Sequence, residues 1–247
     1  MNILILAAGS DSPADRDDRY PLFLSELDGQ LIIERLVSNL MTLSPTRLIF
    51  AIRKEDACAH HLNDIIKLLA PDAVVVELSG KTHGAACTAL LTIDHMDTDD
   101  ELLITSSTDL VDVALSEVVE GFRADGADGG TLVFESLHPR YSFVRLEGDG
   151  QVVEVAEKRP ISRNATAGIY WFRKASDFIA GCQRMITKAG HINGRYYVSP
   201  VFNELLLQQK KIVATRIRTD QYHPVKSGKQ ISTFETLIEQ LRSLNEA

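Results

Sequence analysis

The sequence predicts a single α/β domain whose sheet is mixed and mostly parallel, with helices flanking it. Three observations carry that expectation. Short aliphatic runs alternate with segments of helical period through the first half, the pattern of parallel βαβ units. From about residue 126 onward, strand-like runs follow one another across short loops. No Pro-, Gly- or Ser-rich linker, internal repeat or low-complexity tract separates the two parts. The 247 residues therefore read as one domain, 1–247, with a first half at 1–125 and a second at 126–247.

Residues 2–8 (NILILAA) are continuously apolar and run into Gly9, as a strand buried on both faces does. Residues 10–19 (SDSPADRDDR) are polar, contain Pro13 and read as a loop. Within 30–43, Leu31, Ile32, Leu36, Val37 and Leu40 recur at helical spacing. Next come a strand over 46–53, a helix over 54–70 ended by Pro71, and a strand over 73–78. A helix over 84–93, a strand over 101–106 and a helix over 115–123 complete the first half. The second half predicts strands over 131–135, 142–147, 152–157 and 165–173, with Gly148-Asp149-Gly150 as a hairpin turn. Helices over 175–188 and 198–208, a strand over 211–218 and a final helix over 233–243 follow.

Composition narrows the function classes. Hydrophobic residues make up 45% of the chain, enough for a sizeable core. A formal net charge of -8 repels a phosphate backbone and argues against nucleic acid as a partner. It leaves room for one nucleotide in a locally basic pocket. Cys58, Cys87 and Cys182 are odd in number, widely spaced and without a CxxC pair, which reads as reduced thiols in a cytoplasmic protein. Residues 1–8 are too short for a signal peptide or membrane span, and no later apolar run is longer, so no membrane insertion is expected.

Three strand ends carry chemistry. The first strand runs into Ala7-Ala8-Gly9-Ser10. Small residues at the carboxyl end of a strand let backbone N–H groups approach a phosphate or base. An ordinary tight turn explains the same residues, and the pattern is neither GxGxxG nor a P-loop. The second signal is Ser79-Gly80-Lys81-Thr82-His83-Gly84-Ala85-Ala86. Thr82 is placed to cap a helix whose narrow first turn could admit a flat base, with Lys81 as a positive charge. The plainer alternative is a helix packed closely on the sheet beside a solvated lysine. The third is Ser106-Ser107-Thr108-Asp109-Leu110-Val111-Asp112. Asp109 is a candidate to hold a divalent ion against a diphosphate, whereas Asp112 reads better as a helix cap.

Taken together, these signals resemble the nucleotidyltransferases that activate sugars or related phosphates. The resemblance is carried by LILAAG (4–9), DGQLIIERLVSNL (28–40), ELSGKTHGAACTALL (77–91), LLITSSTDLVD (102–112), VAEKRPIS (155–162), ATAGIYWFRKASDF (165–178) and NGRYYVSPVFNELL (193–206). It points to the branch found at bacterial capsule and surface-polysaccharide loci and designated glycosyltransferase-2-like. It implies the fold of nucleotide-diphospho-sugar transferases, GT-A-like and Rossmann-like, in a bacterial cytoplasmic enzyme. It also implies an NTP, pyrimidine favoured, a phosphorylated small-molecule acceptor, Mg²⁺ or Mn²⁺, and release of pyrophosphate. Ala8, Gly9, Ser10, Lys81, Thr82, Gly84 and Ala85 are then the nucleotide contacts. Glu157, Lys158, Thr166 and Gly168 hold the acceptor, Asp109 the metal, and Lys158 and Arg16 take catalytic roles. The pair Glu157-Lys158 equally suits an exposed strand pair of opposite charge. Residues 193–206 suit a subunit interface of a homo-oligomer or a buried core.

Several positions depart from the family pattern. The first loop lacks the second glycine and the arginine at the expected spacing. Leu22 stands where the family has a phosphate-contacting lysine, Thr108 where it has the metal-binding aspartate, and Arg195 follows Gly194 in place of glutamate. A G-T-P stretch near the C-terminus is replaced by His223-Pro224-Val225-Lys226-Ser227-Gly228. Losing one charge contact in a transition state costs on the order of a few kcal/mol. Either the phosphate cradle is rebuilt from Arg16, Arg19, Lys81, Lys158 or Lys226, or nucleotidyl transfer has been lost. A glycosyltransferase using a ready-made sugar nucleotide, and a relative that binds without turnover, are the two rival expectations.

Overall fold

The computed structural model describes residues 1–9, 20–148, 150–226, 230, 231 and 236. β1 (Asn2–Ala7) is followed by the short hairpin β2 (Glu26–Leu27) and β3 (Gln30–Leu31), then α1 (Ile32–Met41) and β4 (Arg47–Arg53). Helices α2 (Lys54–His60) and α3 (Leu62–Leu69) precede β5 (Val74–Leu78), and α4 (Ala85–Leu90) precedes β6 (Leu102–Ser106). β7 (Asp109–Val111) and α5 (Leu115–Ala124) come next. The remainder runs β8 (Gly129–Glu135), β9 (Ser142–Glu147), β10 (Gln151–Glu157), β11 (Asn164–Phe172), α6 (Ala175–Thr187), α7 (Val201–Leu206), β12 (Ile212–Arg216) and β13 (Tyr222–Pro224).

Nine strands make one sheet in the order β5-β4-β1-β6-β11-β8-β12-β10-β9. The pairs β5/β4, β4/β1, β1/β6 and β8/β12 are parallel, while β11 runs antiparallel to both its neighbours. The expected mixed, mostly parallel sheet is what forms. Alternate residues of β1 serve opposite faces. Ile3 and Ile5 join the cluster built with Leu36 and Leu40 of α1, Ile66 of α3 and Phe122 of α5. Leu4 joins Ala86 of α4, Phe178 of α6 and Phe202 of α7 on the other face. Two helical layers thus close over one sheet. No described helix is long and apolar enough to cross a membrane.

The differences from the sequence reading have local causes. The helix expected over 54–70 is broken at His61, whose φ of 50° is left-handed. The first helix starts at Ile32 because Gln30 and Leu31 pair back onto Glu26 and Leu27. Residues 109–111 form a strand with no counterpart in the sequence reading, paired with Tyr222–Pro224. Val198, Val201, Phe202 and Leu205 are all buried, so this part of 193–206 serves the core. The final helix over 233–243 and Asp149 of the hairpin turn lie outside the described residues, apart from 236, which is helical.

Chain order fixes where a ligand can sit. From β1 the chain moves to one side through β4 and β5, then returns to the other side at β6. That reversal opens a crevice at the carboxyl ends of β1 and β6, the usual ligand position in open α/β sheets. The two ends are tied where the Ser107 N–H donates to the Leu6 carbonyl at 3.1 Å.

Candidate active site

The loops after β1 and β5 lie on the side of this crevice, because β5, β4 and β1 run parallel. The end of β1 contributes Ala8, half-buried, and Gly9, exposed. The loop after β5 contributes Gly80, exposed with φ +78° and nothing near its missing Cβ, and Lys81, exposed and without a hydrogen bond or ion pair among the described residues. Thr82 does not cap α4 as expected. The cap is Gly84, and the Thr82 hydroxyl instead meets the Thr88 hydroxyl at 2.7 Å. Ser10, Arg16 and Arg19 lie outside the described residues, as do Ser227 and Gly228.

Gly84 has a specific reason to be glycine. Its φ is +114°, and a Cβ there would lie 2.3 Å from the Tyr196 carbonyl oxygen. The missing side chain admits another stretch of backbone. Tyr196 N–H donates to the His83 carbonyl at 2.7 Å, and Ala86 N–H donates to the Tyr196 carbonyl at 3.1 Å. The loop after β5 is therefore clamped to the segment preceding α7.

That segment continues directly into the acceptor candidates. The Lys158 ammonium donates to the Tyr197 hydroxyl at 2.8 Å and stands 4.9 Å from the centre of its ring. Lys158 has φ 55°, an uncommon conformation for a side-chain-bearing residue. Glu157 accepts from the Ser199 hydroxyl at 3.1 Å and from the Ser142 hydroxyl through the same oxygen, Oε2. Burial raises the Glu157 carboxyl above the ordinary carboxylate range, against the opposing pull of the two serine hydroxyls and the Lys158 charge.

Asp109 centres a second group of polar contacts, with Tyr222 and Lys226. It is 5% exposed. Oδ1 accepts from the Tyr222 hydroxyl at 2.7 Å, and Oδ2 accepts from the Lys226 ammonium at 2.9 Å. Burial, then the Asp109 charge, pushes the Tyr222 phenol well above its usual range. Lys226 also reaches the Thr108 hydroxyl at 3.2 Å. Asp112 is not a helix cap. The residue capping α5 is Ala114, and Asp112 Oδ2 lies 2.6 Å from His223 Nε2.

Strand β11 bears on both groups. Its register on β8 shifts between Thr166 and Tyr170, a bulge that re-aims the strand. Gly168 lies in the bulge at φ +75°, and a Cβ there would come within 2.6 Å of Asp109 Oδ2. Thr166 and Tyr170 share a hydroxyl–hydroxyl hydrogen bond of 2.9 Å. Burial, and then the charges of Glu157 and Asp109, raise the Tyr170 phenol. One tyrosine thus feels both carboxylates.

The structure ties Gly84, Lys158 and Glu157 together through residues 196–199 and sets Gly168 against Asp109, and Tyr170, bonded to Thr166, feels the charges of both Glu157 and Asp109. Leu22 is half-buried in a one-turn 3-10 helix, Leu22–Leu24, after Pro21. The sequence reading missed Ser142, Tyr170, Tyr197, Ser199 and Tyr222 as hydrogen-bond partners of the candidate residues. Tyr197 stands in the NGRYYVSP run, but no local pattern says that its hydroxyl faces Lys158. A separate cavity of about 480 Å³ lies between α1 and the start of α5, lined by Arg35, Asn39, Val111 and Leu115. It holds none of these residues.

The profile of the family described as Nucleotidyl transferase matches residues 5–197. No curated protein matches the sequence. Among solved structures, a nucleoside-diphosphate-sugar pyrophosphorylase from Vibrio cholerae RC9 superposes with a TM-score of 0.79 at 20% identity, over 96% of this chain and 100% of that one. A Bacillus anthracis protein assigned as a glucose-1-phosphate thymidylyltransferase gives 0.74 at 16% identity, over 96% and 94%. A UDP-glucose pyrophosphorylase complexed with UDP-glucose gives 0.75 at 14% identity, over 97% and 98%. At these identities the structural likeness concerns the fold.

Proposed function

The chain belongs to the nucleotidyl transferase family, and from that premise we propose that it transfers a nucleoside monophosphate from a pyrimidine NTP to a sugar phosphate or related phosphorylated acceptor. Pyrophosphate leaves, and the product serves surface-polysaccharide synthesis in a bacterial cytoplasm. The observation that carries this reading is the continuous contact path between two ends of one crevice. Gly84 is clamped to Tyr196, and Tyr197 and Ser199 hold Lys158 and Glu157. Nucleotide and acceptor would then share one rigid frame, as an in-line displacement requires.

In this reading, 1–125 forms the nucleotide half, with Ala8, Gly9, Ser10, Lys81, Thr82, Gly84 and Ala85 lining the NTP. Residues 126–247 form the acceptor half. An oxygen of the acceptor phosphate attacks the α-phosphorus as the bond from that phosphorus to the bridging oxygen of the β-phosphate breaks. Lys158 has two ammonium protons beyond the one given to Tyr197, and these steady the acceptor phosphate. Glu157 keeps Oε1 for an acceptor hydroxyl, since both serines use Oε2. Thr166 and Gly168 present hydroxyl and backbone to the same ligand. Arg16 supplies charge from the first loop.

The family implies a divalent ion, Mg²⁺ or Mn²⁺, with Asp109 as its ligand. The described residues do not fit one. Both Asp109 oxygens are engaged, one of them by an ammonium. No group of three His, Cys, Asp or Glu among the described residues is placed to share an ion. The chain's own cations must then offset the phosphate charge.

The test pairs CTP, UTP, dTTP, ATP and GTP, one at a time, with a panel of sugar 1-phosphates, and measures pyrophosphate. Release with a pyrimidine NTP is expected. Release of NDP from a sugar nucleotide, without pyrophosphate from any NTP, replaces the reading with a glycosyltransferase. Thermal stabilisation by nucleotide without turnover, with turnover appearing on Leu22→Lys, replaces it with a binding protein.

A further inference from the structure

We infer that Lys226 is a built-in cation of the nucleotide crevice, standing in the place of a divalent ion and making nucleotide uptake independent of metal. This rests on the nucleotidyl-transfer reading. The placement comes from the main chain. β13 pairs antiparallel with β7, setting Pro224 opposite Asp109. One residue on, the Val225 N–H donates to the Thr108 carbonyl at 2.8 Å. Lys226 is thereby delivered to the carboxyl end of β6, beside the end of β1.

At that point its ammonium finds two partners, Asp109 Oδ2 at 2.9 Å and Thr108 Oγ1 at 3.2 Å. An ammonium has three protons, so one remains for a phosphate oxygen. The lysine side chain is 36% exposed while that of Asp109 is 7% exposed. A ligand in the crevice thus meets the cation before the carboxylate. A divalent ion on Asp109 would have to share an oxygen with this ammonium. Mg²⁺ requires near-octahedral oxygen ligands at about 2.0–2.1 Å, and the like charges would repel strongly in so buried a site. Ion and ammonium therefore exclude each other. A lysine supplies one charge and no Lewis acidity, but it is always present and needs no loading.

Isothermal titration of CTP, UTP and dTTP into the full chain tests this, once in excess EDTA and once in excess Mg²⁺. The wild type is expected to bind a pyrimidine nucleotide with similar affinity in both. Lys226→Met should bind at least about tenfold more weakly in EDTA, and Mg²⁺ should recover part of the loss because Asp109 is then released. Lys226→Arg should retain most of the affinity in EDTA. A purely structural lysine would not create a Mg²⁺ dependence that the wild type lacks. Wild-type binding seen only with Mg²⁺, or Lys226→Met binding as tightly as wild type in EDTA, overturns the inference and leaves the family reading standing. Binding of no nucleotide in either condition overturns both. Should Lys226→Met fail to fold, the wild-type comparison decides alone.

Discussion

The Tyr222 hydroxyl donates to Oδ1 of Asp109 at 2.7 Å, across 113 residues of chain. This buried bond fastens β13 onto β7 and orients the carboxylate that also receives Lys226. Tyr222→Phe removes one donor from a carboxylate that is only 5% exposed. An unmet buried acceptor costs about 1–3 kcal/mol. We expect a loss in that range by urea denaturation, with the fold kept. An unchanged midpoint would show that water or another donor replaces the hydroxyl.

Gly84→Ala tests the clamp between the loop after β5 and the segment before α7. The added methyl meets the Tyr196 carbonyl at 2.3 Å, and backbone cannot give way as a side-chain tip does. The φ of +114° adds conformational strain. A cost of at least about 2 kcal/mol is expected, together with loss of nucleotide-induced thermal stabilisation. A variant as stable as wild type would mean that the two segments are not held as described.

Lys158 separates stability from activity. Its φ of 55° costs a side-chain-bearing residue about 1 kcal/mol, which glycine avoids. Lys158→Gly should therefore melt slightly higher than wild type and lose turnover by about a hundredfold. Lys158→Ala should lose the same turnover without the gain in stability. Retained turnover in both variants would remove Lys158 from the reaction.

Glu157 gives a signed pH dependence. Burial raises its carboxyl above the ordinary range, so the folded protein binds this proton more tightly than the unfolded chain. The resulting contribution is fully present below the ordinary value of about 4.3 and is lost as pH rises through the raised folded value. Glu157→Gln has no such proton. Melting curves of both proteins should therefore show wild type at its best relative to the variant in acid, with that relative advantage shrinking as pH rises. A difference that is flat with pH, or that grows with pH, would contradict a raised Glu157.

Much of the molecule was legible in the chain. The run NILILAA fixes a doubly buried strand, because an unbroken aliphatic stretch of that length fits few other roles. The alternation that follows dictates parallel units, and of the glycines singled out in the chain, 84 and 168 stand where a neighbouring segment approaches closely, while 9 and 80 lie in open space. The Leu22 and Thr108 departures are equally visible, because they are identities at fixed places. Other features depend on pairing between distant segments. Nothing near Asp109 announces that Tyr222 and Lys226 will claim its two oxygens. Nothing near Lys158 names Tyr197. His61 breaks a helix that its neighbours' spacing extends through, because one left-handed residue leaves the apolar period unchanged.

Sequence alone determined most of the long strands and helices, since periodicity and chain stiffness act over a few residues at a time, but not the short pairs β2/β3 and β7/β13. Only the tertiary structure decided which charges share the crevice. A carboxylate's partners are set by which strand returns beside it, and β13 returns to β7 after more than a hundred residues. That return puts an ammonium on Asp109, and with it the question of whether this crevice needs a metal at all.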